Sequence, residues 1–120
     1  MTNDEFDRFC AEVVMQWPRL DGDWRAVIWK KPDGRPVSSD DWHPSSDLNQ
    51  MREVEMAIHA MVGNAYYWSQ AIQRVIAKDK GYLVTDNIGY IDILTASCEQ
   101  RVTAIIAIRD EIERATNATR

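Results

Sequence analysis

Phe6, Phe9, Cys10, Val13, Val14 and Trp17 recur at three- and four-residue steps, and Pro18 follows at once. That spacing is the apolar stripe of an amphipathic helix. Thr2 and Glu5 have capping-box spacing ahead of it, with Asp4, Glu5 and Asp7 in the first turn, where the helix dipole favours acids. A helix is expected over 3–16, ended by Pro18. Its one-sided stripe requires a second layer to cover it, so the rest of the chain must supply that layer.

The next segment changes period. Trp24 to Lys31 is rich in β-branched and aromatic residues and reads as a strand. Pro32-Asp33-Gly34 places Pro and Gly at the second and fourth positions of a type I turn, and the chain returns through Val37. Pro36 lacks an N–H, so the return strand is short or lies on an edge. Alternation puts Arg25, Val27, Trp29 and Lys31 on one face. Helices are expected again after Asp47 (Leu48, Met51, Val54, Ile58, Met61, Val62) and over 65–78 (Trp68, Ile72, Val75, Ile76), separated by Gly63-Asn64, with a strand begun by Tyr66-Tyr67-Trp68 the alternative for 65–78. Tyr82–Thr85 and Ile88–Leu94, on either side of Asp86-Asn87, read as a second hairpin. Ser97 and Gln100 then open a last helix carrying Cys98, Val102, Ile105, Ile106 and Ile112, with 115–120 a frayed tail. The order α-ββ-α(α)-ββ-α is an α+β arrangement, a small helix–antiparallel sheet–helix sandwich. A chain of 120 residues fits a single domain, 1–120.

Two segments carry a resemblance. Trp42-His43-Pro44-Ser45-Ser46-Asp47-Leu48 and Thr95-Ala96-Ser97-Cys98-Glu99-Gln100-Arg101 resemble the W-x-P-S/T-x-D and T-A-x-x-x-Q-R segments of the phage ABA-sandwich family, small bacteriophage and prophage proteins. Ala11-Glu12-Val13-Val14-Met15-Gln16-Trp17 is similar to that family's A-E-x-V-M-G-W start, with Gln16 where many members carry Gly. The resemblance implies a helix–sheet–helix sandwich and a phage origin, hence the cytoplasm of an infected bacterial host. It implies no agreed activity.

Charge narrows the partners. The net charge is −5, yet Trp24–Pro36 alone carries +3, leaving −8 for the remainder. An acidic whole argues against tracking duplex nucleic acid, where phosphate neutralisation dominates. No apolar run reaches the roughly 18 residues of a membrane span. Cys10 and Cys98 both fall on apolar stripes and have no metal-ligand spacing, and His43 and His59 lack an H-x-x-x-H partner. No metal or cofactor is expected. No Walker loop, G-x-S-x-G or G-x-G-x-x-G occurs, so no catalytic constellation is visible.

Two places suit a ligand. The first is the basic, Trp-bearing hairpin, where Arg25, Trp29, Lys31 and Arg35 would set a ring beside several cations, with the Tyr66-Tyr67-Trp68 run available to add to it. The second is Trp42–Asp47, where Ser45, Ser46 and helix-start amides would hold a phosphate, with Asp47 on a ribose hydroxyl. Each also has a structural reading, a solvated strand with core tryptophans and a capped helix start. Arg101 sits in a first turn where its charge opposes the dipole, which implies an anionic partner: a ligand, or a surface pair with Glu99 or Asp47. Five tryptophans suit a protein that makes contacts, and Trp29, Trp42 and the Tyr66-Tyr67-Trp68 run are more aromatic area than one core readily absorbs, which suggests a homodimer or higher oligomer. The expected function is a non-catalytic phage binding protein, a counter-defence sponge for a nucleotide-derived immune signal. The alternatives are a protein–protein inhibitor of a host or defence factor and, last, a nucleotide-degrading enzyme.

Overall fold

The Thr2 hydroxyl accepts the Glu5 amide at 3.2 Å, and the Glu5 carboxylate reaches back to the Thr2 amide at 3.4 Å, so the first helix starts where the capping box places it. The computed structural model describes residues 1–20, 22, 25–62, 65–82 and 88–118, and for residues 65–67 and 90 only the backbone. The chain divides into two compact units, Met1–Ile58 and His59–Arg120. The coarse class is α+β: helices with one two-stranded antiparallel sheet among the described residues. None of the described helices is long and apolar enough to cross a membrane.

In the first unit, α1 (Asn3–Phe9) runs into a π-helical segment, Cys10–Val14. The expected helix over 3–16 therefore stops short, and not because of Pro18. The Met15 amide bonds back to the Cys10 carbonyl and the Trp17 amide to the Ala11 carbonyl, and Gln16 then turns the chain at φ +56°. A left-handed backbone costs a non-glycine residue roughly 1–2 kcal/mol. The turn carries Pro18–Leu20 alongside β1 (Ile28–Lys30): the Leu20 amide bonds to the Ile28 carbonyl at 2.8 Å and the Lys30 amide to the Pro18 carbonyl at 3.0 Å.

On its other side β1 pairs with β2 (Pro36–Ser38), with Trp29 opposite Val37. The expected turn is present, its Gly34 amide bonding to the Lys31 carbonyl and Gly34 at φ +89°. The strand expected from Trp24 is shorter than alternation suggested. Pairing reaches only Ile28, and Arg25 lies in a bend. Helix α2 (Leu48–Val62) buries Met51, Val54 and Ile58, while Leu48, assigned to the same stripe, is exposed. Asp47 caps α2 by accepting the Gln50 amide at 3.1 Å. The expected reciprocal bond is replaced: the Gln50 side chain accepts the His43 amide and donates to the Asp41 carbonyl, tying down the preceding loop.

In the second unit α3 (Ala65–Lys80) packs along α5 (Cys98–Ala107), and α4 (Tyr90–Leu94) packs on α3. Trp68, Ile72, Ile76, Ala104, Ile105 and Ile112 are buried there. The second hairpin is corrected. Residues 83–87 lie outside the described residues, and Tyr90–Leu94 is helix, begun by Asp92 accepting the Gly89 amide at 2.9 Å. The last helix opens at Ser97 as expected, then breaks at Ile108 (φ −107°, ψ 18°) and resumes as α6 (Arg109–Ala118). The frayed tail is corrected over 115–118, since α6 runs to Ala118 with Thr116 only 2 % exposed, and residues 119–120 lie outside the described residues.

Candidate functional site

Asp7 lies one and two turns ahead of Cys10 and Val14 on the inward face of the first helix, and is 5 % exposed. A buried carboxylate must be supplied with donors. Here they come from 38 residues away: the Ser45 amide donates to Oδ1 at 2.9 Å and the Ser45 hydroxyl to Oδ2 at 3.0 Å. The Trp42 indole N–H donates to the Asp7 main-chain carbonyl at 3.0 Å, and Pro44 between them is fully buried. The approach to α2 is thus bolted to α1 through one residue.

Burial pushes the Asp7 carboxyl above its ordinary range, although the Ser45 bonds and His43 pull the other way. His43 stands with Nδ1 3.6 Å from Asp7 Oδ2, beyond hydrogen-bond reach, while its Nε2–H donates to the Asp40 carbonyl at 2.7 Å. That bond, helped by the charges of Asp7 and Asp4 against the cost of desolvation, raises the His43 pKa. The second anchor is Glu12, on the π-helical segment. Its Oε2 accepts the Trp29 indole N–H at 2.9 Å and Arg19 Nη2 at 2.6 Å. Burial works to raise its pKa, but those bonds together with the Arg19 and Arg8 charges outweigh burial and leave it lowered.

Beside the Asp7 anchor lies a cleft of about 240 Å³. Trp29 and Trp42 form its floor, Asp4, Asp7 and Asp40 line it, and Arg8 and Arg25 are its guanidinium groups. Arg25 is exposed and makes no ion pair among the described residues. Trp29 and Trp42 are 0 % and 2 % exposed, so their rings close the cleft from below and offer no open face for stacking.

The expected site residues separate. Arg25, Trp29 and Trp42 come together in this cleft. Lys31 and Arg35 do not join them: the Lys31 ammonium sits 5.5 Å from the Trp17 ring centroid, and Arg35 Nη2 holds Asp33 at 2.7 Å. Ser45 serves Asp7, and Ser46 lies at the limit of contact with the His43 carbonyl, 3.5 Å. Asp47 is used by its own helix start, so carboxylates stand where a phosphate was expected. Arg101 pairs with neither of its expected surface partners. It is 5 % exposed and donates to the carbonyls of Ala96, Ile93 and Leu94 at 3.1, 2.9 and 3.3 Å, closing the C-terminal end of α4. Trp24 and the side chains of Tyr66 and Tyr67 lie outside what the structure describes.

Asp7, Arg8 and Glu12 were missed by sequence reasoning as site residues. The available signal was an acid at position 7, in register with Cys10 and Val14 on the apolar face.

Chemically, the cluster has the order serine–carboxylate–histidine, with the carboxylate central. Ser45 therefore faces an anion and no imidazole, which is the reverse of the relay that activates a serine nucleophile. Among the described residues no group of three His, Cys, Asp or Glu side chains is placed to hold a metal ion. Cys10 is fully buried, and burial, aided by the Asp7 charge, pushes its thiol well up in pKa, as suits an inert thiol. Cys98 is only half-buried. No protein family, no curated protein and no solved structure matches the chain.

Proposed function

We propose that the protein is a non-catalytic binding protein that takes a small phosphate-bearing, nucleotide-derived ligand in the cleft between α1 and the hairpin. The observation that carries this reading is the pair of guanidinium groups, Arg8 and Arg25, on a cleft that Asp7 lines and whose Trp29 is held by Glu12. Arg groups grip phosphate oxygens in fork geometry, and Asp4 and Asp40 offer acceptors to ribose hydroxyls or a base amine. At about 240 Å³ the cleft is smaller than the roughly 300–1,000 Å³ of drug-sized ligand sites, so a mononucleotide-sized part enters and any remainder stays outside.

A phage counter-defence sponge acting in the host cytoplasm is the biological form of this proposal, its phage setting taken from the family resemblance, which implies no activity. The departure of Gln16 from that family's Gly falls at a left-handed backbone, a conformation glycine adopts freely.

The test uses AMP, ADP-ribose and a cyclic dinucleotide, read by thermal shift and then by recovery of ligand after heat denaturation. Binding with intact recovery is expected, and Arg25→Gln should weaken it by about 1.5–3 kcal/mol, the worth of a charged hydrogen bond. Equal binding by Arg25→Gln moves the site elsewhere. Altered ligand means an enzyme, and no shift with any of the three overturns the reading.

A further inference from the structure

A groove runs along the first unit between the hairpin and α2. Two depressions, about 330 and 480 Å³, meet there, and Lys31 and Glu53 line both. One continues past Val37 to Asp41, the other past Trp17 to Met15 and Met56. Met56 is 74 % exposed, on the side of α2 away from Met51, Val54 and Ile58. Asn49, Glu53 and Met56 recur at four- and three-residue steps, so one outward row of α2 faces the groove. A long, flexible thioether left in water beside a concavity suits an adaptable contact surface.

Charge selects the occupant. The rim carries two bases, Lys31 and Arg35, and three acids, Asp33, Asp41 and Glu53. Arg35 and Asp33 satisfy each other, whereas Lys31 and Glu53, opposite in sign at the centre of the groove, form no ion pair among the described residues. A uniformly acidic or basic peptide meets its own sign there. A surface with both signs does not, provided they are presented in reverse order, and a two-fold axis reverses order: residue i touches j while j touches i. We propose that this groove is the face on which two copies of this chain pair, with an axis near its centre. Lys31 of each copy meets Glu53 of the other, and the Met56 side chains cover each other's apolar depressions.

The expected dimer of surplus aromatic area draws no support from Trp29, Trp42 and Trp68, which are buried, while the side chains of Tyr66 and Tyr67 lie outside the described residues.

Sedimentation velocity at tens of micromolar tests the proposal on the whole protein. The parent should sediment as twice its 13.8 kDa. Met56→Asp and Glu53→Lys should each raise the dimer dissociation constant by roughly tenfold or more, and the combined swap Glu53→Lys with Lys31→Glu should restore much of the pairing. A monomeric parent overturns it, whatever else the groove holds. So does a dimer that ignores Met56→Asp, or a swap no better than Glu53→Lys alone.

Discussion

Asp7 and Arg101 are both 5 % exposed, one acid and one base, and the two units use them in opposite ways. Asp7 collects donors from Ser45, 38 residues on, so its bonds close a long loop. Arg101 donates to three acceptors 5 to 8 residues back, at a neighbouring helix end. In the second unit α3 packs on α5 along apolar stripes, with one polar tie across 21 residues, Gln100 Nε2 donating to Asp79 Oδ2 at 2.9 Å. In the first unit polar side-chain bonds across many residues fix which segment meets which, with Trp29 to Glu12 and Trp42 to the Asp7 carbonyl beside the Ser45 pair. A charge that closes a long loop defines tertiary structure, whereas one that closes a short loop trims secondary structure.

The largest expected effect is at Asp7. Asp7→Ala leaves a buried amide and hydroxyl without an acceptor and should cost about 3 kcal/mol in chemical denaturation. Hydrogen-exchange protection should fall first over 42–47. Comparable losses over 98–107 would break the contrast.

Arg101→Met should cost about 2 kcal/mol, because three carbonyl contacts are lost while the buried stem is kept. Its exchange losses should centre on 90–97 and leave 42–47 unchanged. Arg101→Lys should recover only part, since one ammonium cannot reproduce a planar fork.

The smallest effect is with pH. His43 and Asp7 have folded pKa values above their ordinary 6.5 and 3.8, so the native state binds more protons than the unfolded one and stability falls as pH rises. Asp7 acts from about pH 3.8 upward. The His43 contribution is full below about 6.5 and lost as pH climbs through its raised value, a few tenths of a kcal/mol for a side chain 45 % exposed. His43→Asn should flatten the denaturation midpoint between about pH 6 and 8. Among the described residues of the second unit, Asp92 is lowered and Lys80 raised, both by their mutual hydrogen bond, and neither titrates in that interval. A neutral-pH slope that survives His43→Asn would show that His43 is not its source.

Local signals were legible in the sequence and long-range ones were not. Thr2 with Glu5 and Ser97 with Gln100 form the boxes their spacing requires, because both partners lie within one turn. Ile88–Leu94 was misread because its β-branched composition favours a strand, while its helix is secured by Asp92 on Gly89 and by Arg101 from beyond the segment. β1 was overextended because alternation does not reveal how far neighbours pair, and both Pro18–Leu20 and Pro36–Ser38 are short. For the site, Arg25, Trp29 and Trp42 were named and do converge. Asp7 was read as an acid suited to the helix dipole, a sufficient local reason that hid its use by Ser45.

The π-helical stretch Cys10–Val14 has a consequence for how this chain can change over time. In an α-helix one residue gained or lost turns every later side chain by about 100°, which would carry Glu12 or Trp17 off target. A wider turn already stores one residue more than an α-turn needs. A single deletion there can be absorbed by rewinding the stretch as ordinary helix, and the left-handed step at Gln16 supplies a second point of adjustment. Length variation among descendants of this chain should therefore accumulate between Phe9 and Trp17, inside a helix, where insertions and deletions are usually purged.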